Sequence, residues 1–538
     1  MMMIPRGLCS GLIAGVILLG GCGHVTNVNM CGDGSNGGAA GCEYKYEADK
    51  TYRFSPKAGS DTLVIVTLSG GGIRAAALSF GTLQALGLIE GPNGNTLLDQ
   101  VDMISSVSGG SVTAAWYALH GRAGLAHEGE NGKLWQFLHH NWNYDLAWKA
   151  TNPVTLARYA FSPYGRGDVL ADFFSANLFA DATYADVFKL YKTGTAQPYV
   201  MLNATDLGHQ SIFPFTQGRF DLLCSDLLQY RVADAVAASA NYPLVFSSTN
   251  LQNYSGCAAQ QSDSWNNHGP PKWLAYYSKY DSETTQARQS YGLSQLRAAR
   301  QAQDYLRSPA LGDQDKFVHL LDGGVGDNLG VRSTLAIEDD PARVPGLYVR
   351  LSTNDRPSGY ENIRRILYVV VNARTRDPAG IDRSEGAPGE IETAFRMVDT
   401  LLDNSTLADQ DFLIAELEAT ANQGTNGTSS VPDVKPFLSF KSEAQARAKA
   451  TQRNLEFYVV SVDFEMIPDK KCRDHYWSLG TNWGLDTKDI DGLVDISKVI
   501  LSRSTDLKNF YKSYESAGVQ PPSLLKSPLS FKDVCPAQ

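Results

Sequence analysis

Two neighbouring stretches repeat one pattern: a short run of β-branched and apolar residues, a glycine turn, then alanines and leucines at helical spacing. Thr62 to Leu68 (TLVIVTL) reads as a buried strand, Ser69-Gly70-Gly71-Gly72 as its turn, and Ile73 to Leu88 as the helix that follows. Val101 to Val107 is a second apolar strand, and Gly109 opens a helix running to about Leu119. A strand that passes through a helix before the next strand needs a crossover connection. The expected fold class is therefore α/β with a mainly parallel central sheet. Further strands are expected at Tyr199–Ala204, Phe317–Leu321, Gly346–Leu351, Leu367–Val371 and Phe457–Phe464, and helices at Val232–Ala240, Ile391–Leu402 and Lys488–Leu501.

Two regions depart from the rhythm. Gly256 to Asp315 is rich in Gln, Arg, Tyr and Ser and reads as a surface insertion of about 256–315, a candidate lid. Asp403 to Pro436 looks partly loop-like, with Gly, Asn, Thr and Ser between Asn422 and Ser430. The formal net charge of -10 and the lack of a long Lys/Arg cluster argue against a nucleic-acid partner.

The N-terminus reads as a targeting segment. Arg6 supplies a positive charge, Leu8 to Leu19 is apolar but too short to span a bilayer, and Leu19-Gly20-Gly21-Cys22 follows. Small residues before a cysteine resemble a bacterial lipoprotein signal. That resemblance implies a signal peptide over 1–21, lipidation of Cys22 and a location in the bacterial cell envelope. Gly23 in place of an Asp leans towards the outer membrane. The alternative is an ordinary secretory signal. Residues 22–60, Gly- and Asn-rich at their start, are expected to form a flexible tether, with the body over 61–505 and a C-terminal tail over 506–538. With Cys9 and Cys22 set aside, Cys31, Cys42, Cys224, Cys257, Cys472 and Cys535 remain. An even number in an exported chain favours disulfides, and pairing between neighbours is the expectation: Cys31–Cys42, Cys224–Cys257 and Cys472–Cys535.

Three glycine-rich turns carry residue types suited to acyl transfer, which needs a nucleophile, a base and donors for an oxyanion. Gly70-Gly71-Gly72-Ile73-Arg74 joins a strand to a helix. Its glycines permit close backbone approach, and the helix adds a positive dipole end. It is no P-loop, because no Gly-Lys-Ser/Thr follows. Ser106-Val107-Ser108-Gly109-Gly110 resembles the G-x-S-x-G elbow that projects a serine from a sheet, with Ser106 replacing the first glycine. Each turn alone is matched by a bland reading: a structural turn for the first, a helix-capping serine for the second. Leu320-Leu321-Asp322-Gly323-Gly324 ends a strand with a carboxylate and, taken alone, is an ordinary Asp-Gly turn.

GGGIR, SVSGG and DGG in this order resemble the three motifs of patatin-like phospholipases, and Asn203-Ala204-Thr205-Asp206, Ala235 to Phe246 and Asp322 to Gly330 (DGGVGDNLG) are similar to further segments of that family. The likeness spans roughly Leu63 to Leu501 and is poor in the insertion. It implies a three-layer α/β/α sandwich and a lipid acyl-ester hydrolase of phospholipase A or lysophospholipase type. It also implies Ser108 as nucleophile, Asp322 as base, and no cofactor or metal. The oxyanion hole would be drawn from Gly70, Gly71, Gly72 and Gly109. Arg74 matches the family's motif arginine, placed to brace the glycine loop or to meet substrate phosphate. A free aspartate is a weak base, so burial must raise its basicity and direct contact with Ser108 is expected. A Ser108–Asp322–His475 triad is the rival order, and His319 is expected to face away from Asp322 as a core or supporting residue. Acyl transfer to another alcohol would use the same acyl-enzyme, and a non-catalytic lipid-binding envelope lipoprotein is the alternative from another class. The partners implied are phospholipid or another acyl ester and, through the anchor, a membrane. Trp135 to Trp148 (WQFLHHNWNYDLAW) is open between an interfacial or acyl-lining surface and core packing.

Overall fold

The computed structural model describes residues 24–29, 51–91, 95–193, 197–254, 301–302, 304–305, 316–335, 337, 347, 359–376, 389–421, 456–515 and 529–535. Among these residues eight strands form one sheet: β1 (Thr62–Leu68), β2 (Val101–Val107), β3 (Tyr199–Asp206), β4 (Ser211–Pro214), β5 (Thr249–Gln252), β6 (Phe317–Asp322), β7 (Arg365–Asn372) and β8 (Glu456–Asp463). Their order is β5-β6-β3-β2-β1-β7-β8, with β4 paired to β3. The run from β3 to β8 is parallel, while β6 lies antiparallel to β3 and β5 antiparallel to β6. Every residue of β1, β2, β3 and β7 is buried, which requires cover on both faces of the sheet and explains their near-continuous apolar sequences.

The helices that matter for the site are α1 (Gly72–Leu86), α2 (Gly109–His120), α3 (Pro153–Phe161), α4 (Arg166–Phe174), α5 (Val232–Ala240), α6 (Glu390–Ala421), α7 (Lys470–Ser478), α8 (Thr487–Arg503) and α9 (Thr505–Glu515). α1 packs along α8 and beside α2, α5 packs on α4, and α6 runs against the turn after β6. The result is the expected α/β/α sandwich about a mainly parallel sheet.

Several expectations are corrected. The stretch from 403 to 421 is helical, the second half of α6; Thr406 and Asp409, three residues apart on one face, are fully buried against the body. Leu347 is the only described residue of the expected strand Gly346–Leu351, and it is helical and buried. The short strands β4 and β5 carry too little apolar pattern to be read from sequence. The expected tether is not free along its length. Val25 bridges Asn250 of the edge strand β5, Thr26 donates its amide to the Asn250 carbonyl at 3.1 Å, and the Asn27 side chain bonds the backbone of Gln252 in both directions. Tyr52, also in that range, is buried and stacked on Tyr199. The expected C-terminal tail likewise belongs to the body. α9 packs on β8, Cys535 is disulfide-bonded to Cys472, and Tyr476 Oη donates to the Val534 carbonyl at 2.6 Å. Cys224 is disulfide-bonded as well. Its expected partner Cys257 lies outside the described residues, as do Cys22, Cys31 and Cys42.

Within the polar insertion, Gln301, Ala302 and Tyr305 are buried. Gln301 Nε2 donates to the Asp206 carboxylate at 2.9 Å and Tyr305 Oη also donates to it, so this end of the insertion is fixed to the tip of β3. Apart from Asp304, the rest of that stretch lies outside the described residues. Among the described residues no helix is long and apolar enough to cross a membrane.

Candidate active site

Ser108 stands between β2 and α2 with φ 51° and ψ -120°, the one non-glycine residue of its turn in the left-handed half of backbone space. A residue held there costs of order 1–3 kcal/mol and persists only where the surroundings impose it. They do so here through two contacts. The Ser108 amide donates to Ser239 Oγ at 2.9 Å, and Ser239 Oγ donates in turn to the Asn203 carbonyl at 2.6 Å. On the other side the two glycine turns meet backbone to backbone: a Cβ on Gly109 would stand 1.9 Å from the Gly72 carbonyl oxygen. Ser106, which replaces the elbow glycine, is absorbed because its hydroxyl lies 3.1 Å from Ser111 Oγ and donates to the Met201 carbonyl at 3.3 Å.

Asp322 closes β6 opposite Ala204 of β3, and Asn203 lies opposite Val107 of β2, so the register brings the carboxylate level with Ser108. Its amide donates to the Asn241 carbonyl at 3.1 Å and the Gly324 amide donates to its Oδ1 at 2.8 Å. The Ser108 side chain acts on the same carboxylate, lowering its pKa. Asp322 is 3% exposed, and burial pushes its pKa up to about 6 against the lowering effects of Gly324 and Ser108.

The glycine loop supplies amides. Gly71 has φ 136° and Gly72 φ 59°, conformations open to glycine, and α1 begins at Gly72. The Gly70 amide is occupied, donating to the Asn328 carbonyl at 3.2 Å, so Gly70 drops out of the expected donor set. The amides of Gly71, Gly72 and Gly109 have no acceptor among the described residues. Those of Gly72 and Gly109 are first-turn groups of helices, which carry no partner inside the helix. Gly70 also touches the serine, since a Cβ there would lie 3.3 Å from the Ser108 Cβ.

Arg74 is buried and braces the loop. Its Nε donates to the Ala373 carbonyl at 2.8 Å, Nη1 donates to the Leu479 carbonyl, and Nη2 donates to Thr481 Oγ1 at 3.2 Å. Burial lowers its pKa to about 9, so it stays charged at neutral pH. With its donors engaged by the residue after β7 and the segment between α7 and α8, the alternative role in meeting substrate phosphate is not supported by this geometry.

The two histidines are elsewhere. His475, on α7, pairs through Nε2 with Asp489 of α8 at 2.8 Å. His319 faces away from Asp322 as strand alternation requires, but it is exposed rather than core, with Nδ1 2.7 Å from Asn250 Oδ1. The aromatic segment divides. Trp135 stacks on His127 and Trp142 on Phe137, whereas Tyr144 and Trp148 are exposed.

Two supporting residues escaped the sequence reading. Ser239 joins the nucleophile turn to the aspartate turn, because its carbonyl accepts the Gly323 amide at 3.1 Å while its hydroxyl holds Ser108. Asn328 joins the glycine loop to α6: its carbonyl holds Gly70 and its Nδ2 donates to Thr406 Oγ1 at 2.7 Å. Both lie within segments singled out by likeness, AVAASANYPLVF and DGGVGDNLG, but a lone Ser or Asn there carries no signal of what it touches.

A serine hydroxyl, a carboxylate and unclaimed backbone amides converging at glycine turns define the class of acyl-transferring hydrolase sites. The chain belongs to the patatin-like phospholipase family, whose model matches residues 66–335 and so includes all three turns. Among solved structures it is similar to human GIVD cytosolic phospholipase A2 in complex with methyl gamma-linolenyl fluorophosphonate, at 13% identity over 89% of this chain and 61% of that one, with a TM-score of 0.35. It is also similar to VipD from Legionella pneumophila, at 11% identity over 85% of this chain and 72% of that one, with a TM-score of 0.21. The chain spans between 30% and 61% of the length of the three human structures it matches. No curated protein matches it by sequence.

Proposed function

We propose that the protein is a lipid acyl-ester hydrolase of phospholipase A or lysophospholipase type, working through a Ser108–Asp322 dyad. The observation that supports this is the register that sets the buried Asp322 carboxylate level with Ser108, which lowers its pKa, beside the unclaimed amides of Gly71, Gly72 and Gly109. In the forward step Ser108 Oγ bonds to the acyl carbonyl carbon as its proton passes to Asp322. The oxyanion is held by the glycine amides and by the N-terminal dipole ends of α1 and α2. Collapse breaks the ester bond, and the leaving alcohol takes the proton back from Asp322. Water, deprotonated by Asp322, then releases the fatty acid and restores Ser108. The triad reading loses support from the engagement of His475 with Asp489.

The amino-terminal reading completes the proposal: Cys22 carries lipid and tethers the body to the envelope, on the outer membrane by the residue that follows it. The decisive test is mass spectrometry of the products from defined phospholipids and lysophospholipids. Wild type releases free fatty acid and Ser108→Ala releases none; equal release by both would remove Ser108 from the mechanism.

A further inference from the structure

Among the described residues, α3, α6 and the segment after α5 expose large apolar side chains. Phe161 is 89% exposed, Val154 71% and Met397 63%, with Leu401, Leu244 and Val245 also open. Val154 and Phe161 are seven residues apart on α3, and Met397 and Leu401 four apart on α6, so each pair shares one helix face.

Hydrogen bonds tie these pieces to one another and to Asp322. Asn241, whose carbonyl holds the Asp322 amide, precedes Tyr242, and Tyr242 Oη donates to Asp399 of α6 at 2.7 Å, between Met397 and Leu401. Two residues on, Leu244 has φ 73°, a conformation that disfavours a branched apolar side chain, and its carbonyl accepts Arg166 Nη1 at 3.2 Å. Arg166 opens α4, five residues after Phe161. A strained leucine kept open to solvent, flanked by apolar helix faces, is an arrangement that folding alone does not require.

The tether enters the same neighbourhood. Residues 24–29 run parallel to β5, so their upstream end points to the end of the β5–β6 ladder nearer Asp322. His24 Nδ1 lies 3.6 Å from Asp168, two residues from the Arg166 that holds Leu244. Cys22 is only two residues further upstream, a span of at most about 7 Å. We infer that this apolar rim is a bilayer-docking face, and that pairing of the tether with β5 delivers the lipid on Cys22 to the same plane. The anchor and the rim then seat the mouth of the site on the phospholipid surface. The inference rests on the lipid-hydrolase and anchor reading above, and it adds which face meets the membrane and what fixes it there.

The test uses the full lipidated chain with vesicles of phosphatidylethanolamine and phosphatidylglycerol in equal parts, and in parallel a soluble short-chain ester. Phe161→Asp combined with Met397→Asp lowers the vesicle rate by about tenfold or more, since each carboxylate must be forced against the interface, and leaves the soluble-ester rate unchanged. Leu88→Asp, at an exposed site beyond the far end of α1, changes neither rate. Thr26→Pro, which removes the amide paired with Asn250, also lowers the vesicle rate selectively. Hydrogen exchange reads the docking without any turnover: vesicles slow exchange over 242–246 and α3 in wild type and not in the double variant. Unchanged vesicle rates in the rim variants, a parallel fall of both rates, or exchange protection confined to other faces would overturn the proposal. So would a rim that proves to join two copies of the chain, seen as a dimer that the variants split while vesicle rates hold. A wild-type chain inert on the soluble ester would instead sink the hydrolase reading, leaving the exchange measurement to decide the docking.

Discussion

At Ser108 a positive φ meets an influence on a buried carboxylate, that of Asp322, and the carboxylate sets what the site demands of pH. Burial holds the Asp322 pKa at about 6, above the ordinary value of 3.8. A base of that strength is charged at neutral pH yet more willing to take a proton than a surface aspartate. The kcat/KM for a soluble ester is therefore expected to be flat above about pH 7 and to fall tenfold per pH unit below about 6; a limb near pH 4 would show that Asp322 is not the titrating base. The stability consequence has the opposite sense. Because the folded pKa is raised, the native state favours the neutral carboxyl. That contribution is complete below the unfolded value near 3.8 and is lost as pH rises through about 6. Asp322→Asn, a neutral isostere, is expected to be inactive but more stable than wild type at pH 8, by up to about 3 kcal/mol, with the difference gone near pH 4. Urea unfolding at the two pH values measures it, and greater stability of wild type at pH 8 would contradict the account.

The elements divide by how much of their sequence points to their place. Strands β1, β2 and β7 are legible because central parallel strands are apolar on both faces, and α1 and α2 because each follows a glycine turn. The same turns made Ser108, Asp322, Gly71 and Gly72 legible, since close backbone approach needs glycine and leaves a recognisable spelling. β5, four residues long, was not legible, and neither was its pairing with residues 24–29, because a polar edge pairing leaves no periodic trace. Nor could the sequence say that the Gly70 amide is spent on Asn328, or that Arg74 faces carbonyls rather than a substrate. The arginine brace yields its own expectation. Arg74→Lys keeps the charge but cannot reach Ala373, Leu479 and Thr481 together. Leaving buried carbonyls unpaired costs about 1–3 kcal/mol each. The variant should lose about 2–4 kcal/mol of stability in urea unfolding, and ester turnover should fall as the glycine amides lose their aim. A variant with wild-type stability and turnover would mean that the brace is dispensable.

Across the whole molecule, the segment that matches the family and the frame around it come from different parts of the chain. The family model ends at residue 335, but the sheet continues through β7 and β8, and α8 lies along α1, the helix that begins in the glycine loop. The disulfide Cys472–Cys535 fastens this C-terminal frame across 63 residues. Closing a loop of that length in the unfolded chain corresponds to about 4 kcal/mol. Cys472→Ser with Cys535→Ser should lower the stability by up to that amount while leaving the soluble-ester kcat within about twofold, since neither cysteine is among the residues that build the site; a selective loss of kcat without loss of stability would contradict this. The central claim, that one hydroxyl in the chain is armed by one carboxylate, is tested most directly by exposing the intact protein to an alkyl fluorophosphonate and mapping the adduct by mass spectrometry. The account predicts a single covalent adduct on Ser108, absent in Ser108→Ala and strongly slowed in Asp322→Asn. Ester turnover with no adduct, or with the adduct on any other residue, would contradict it.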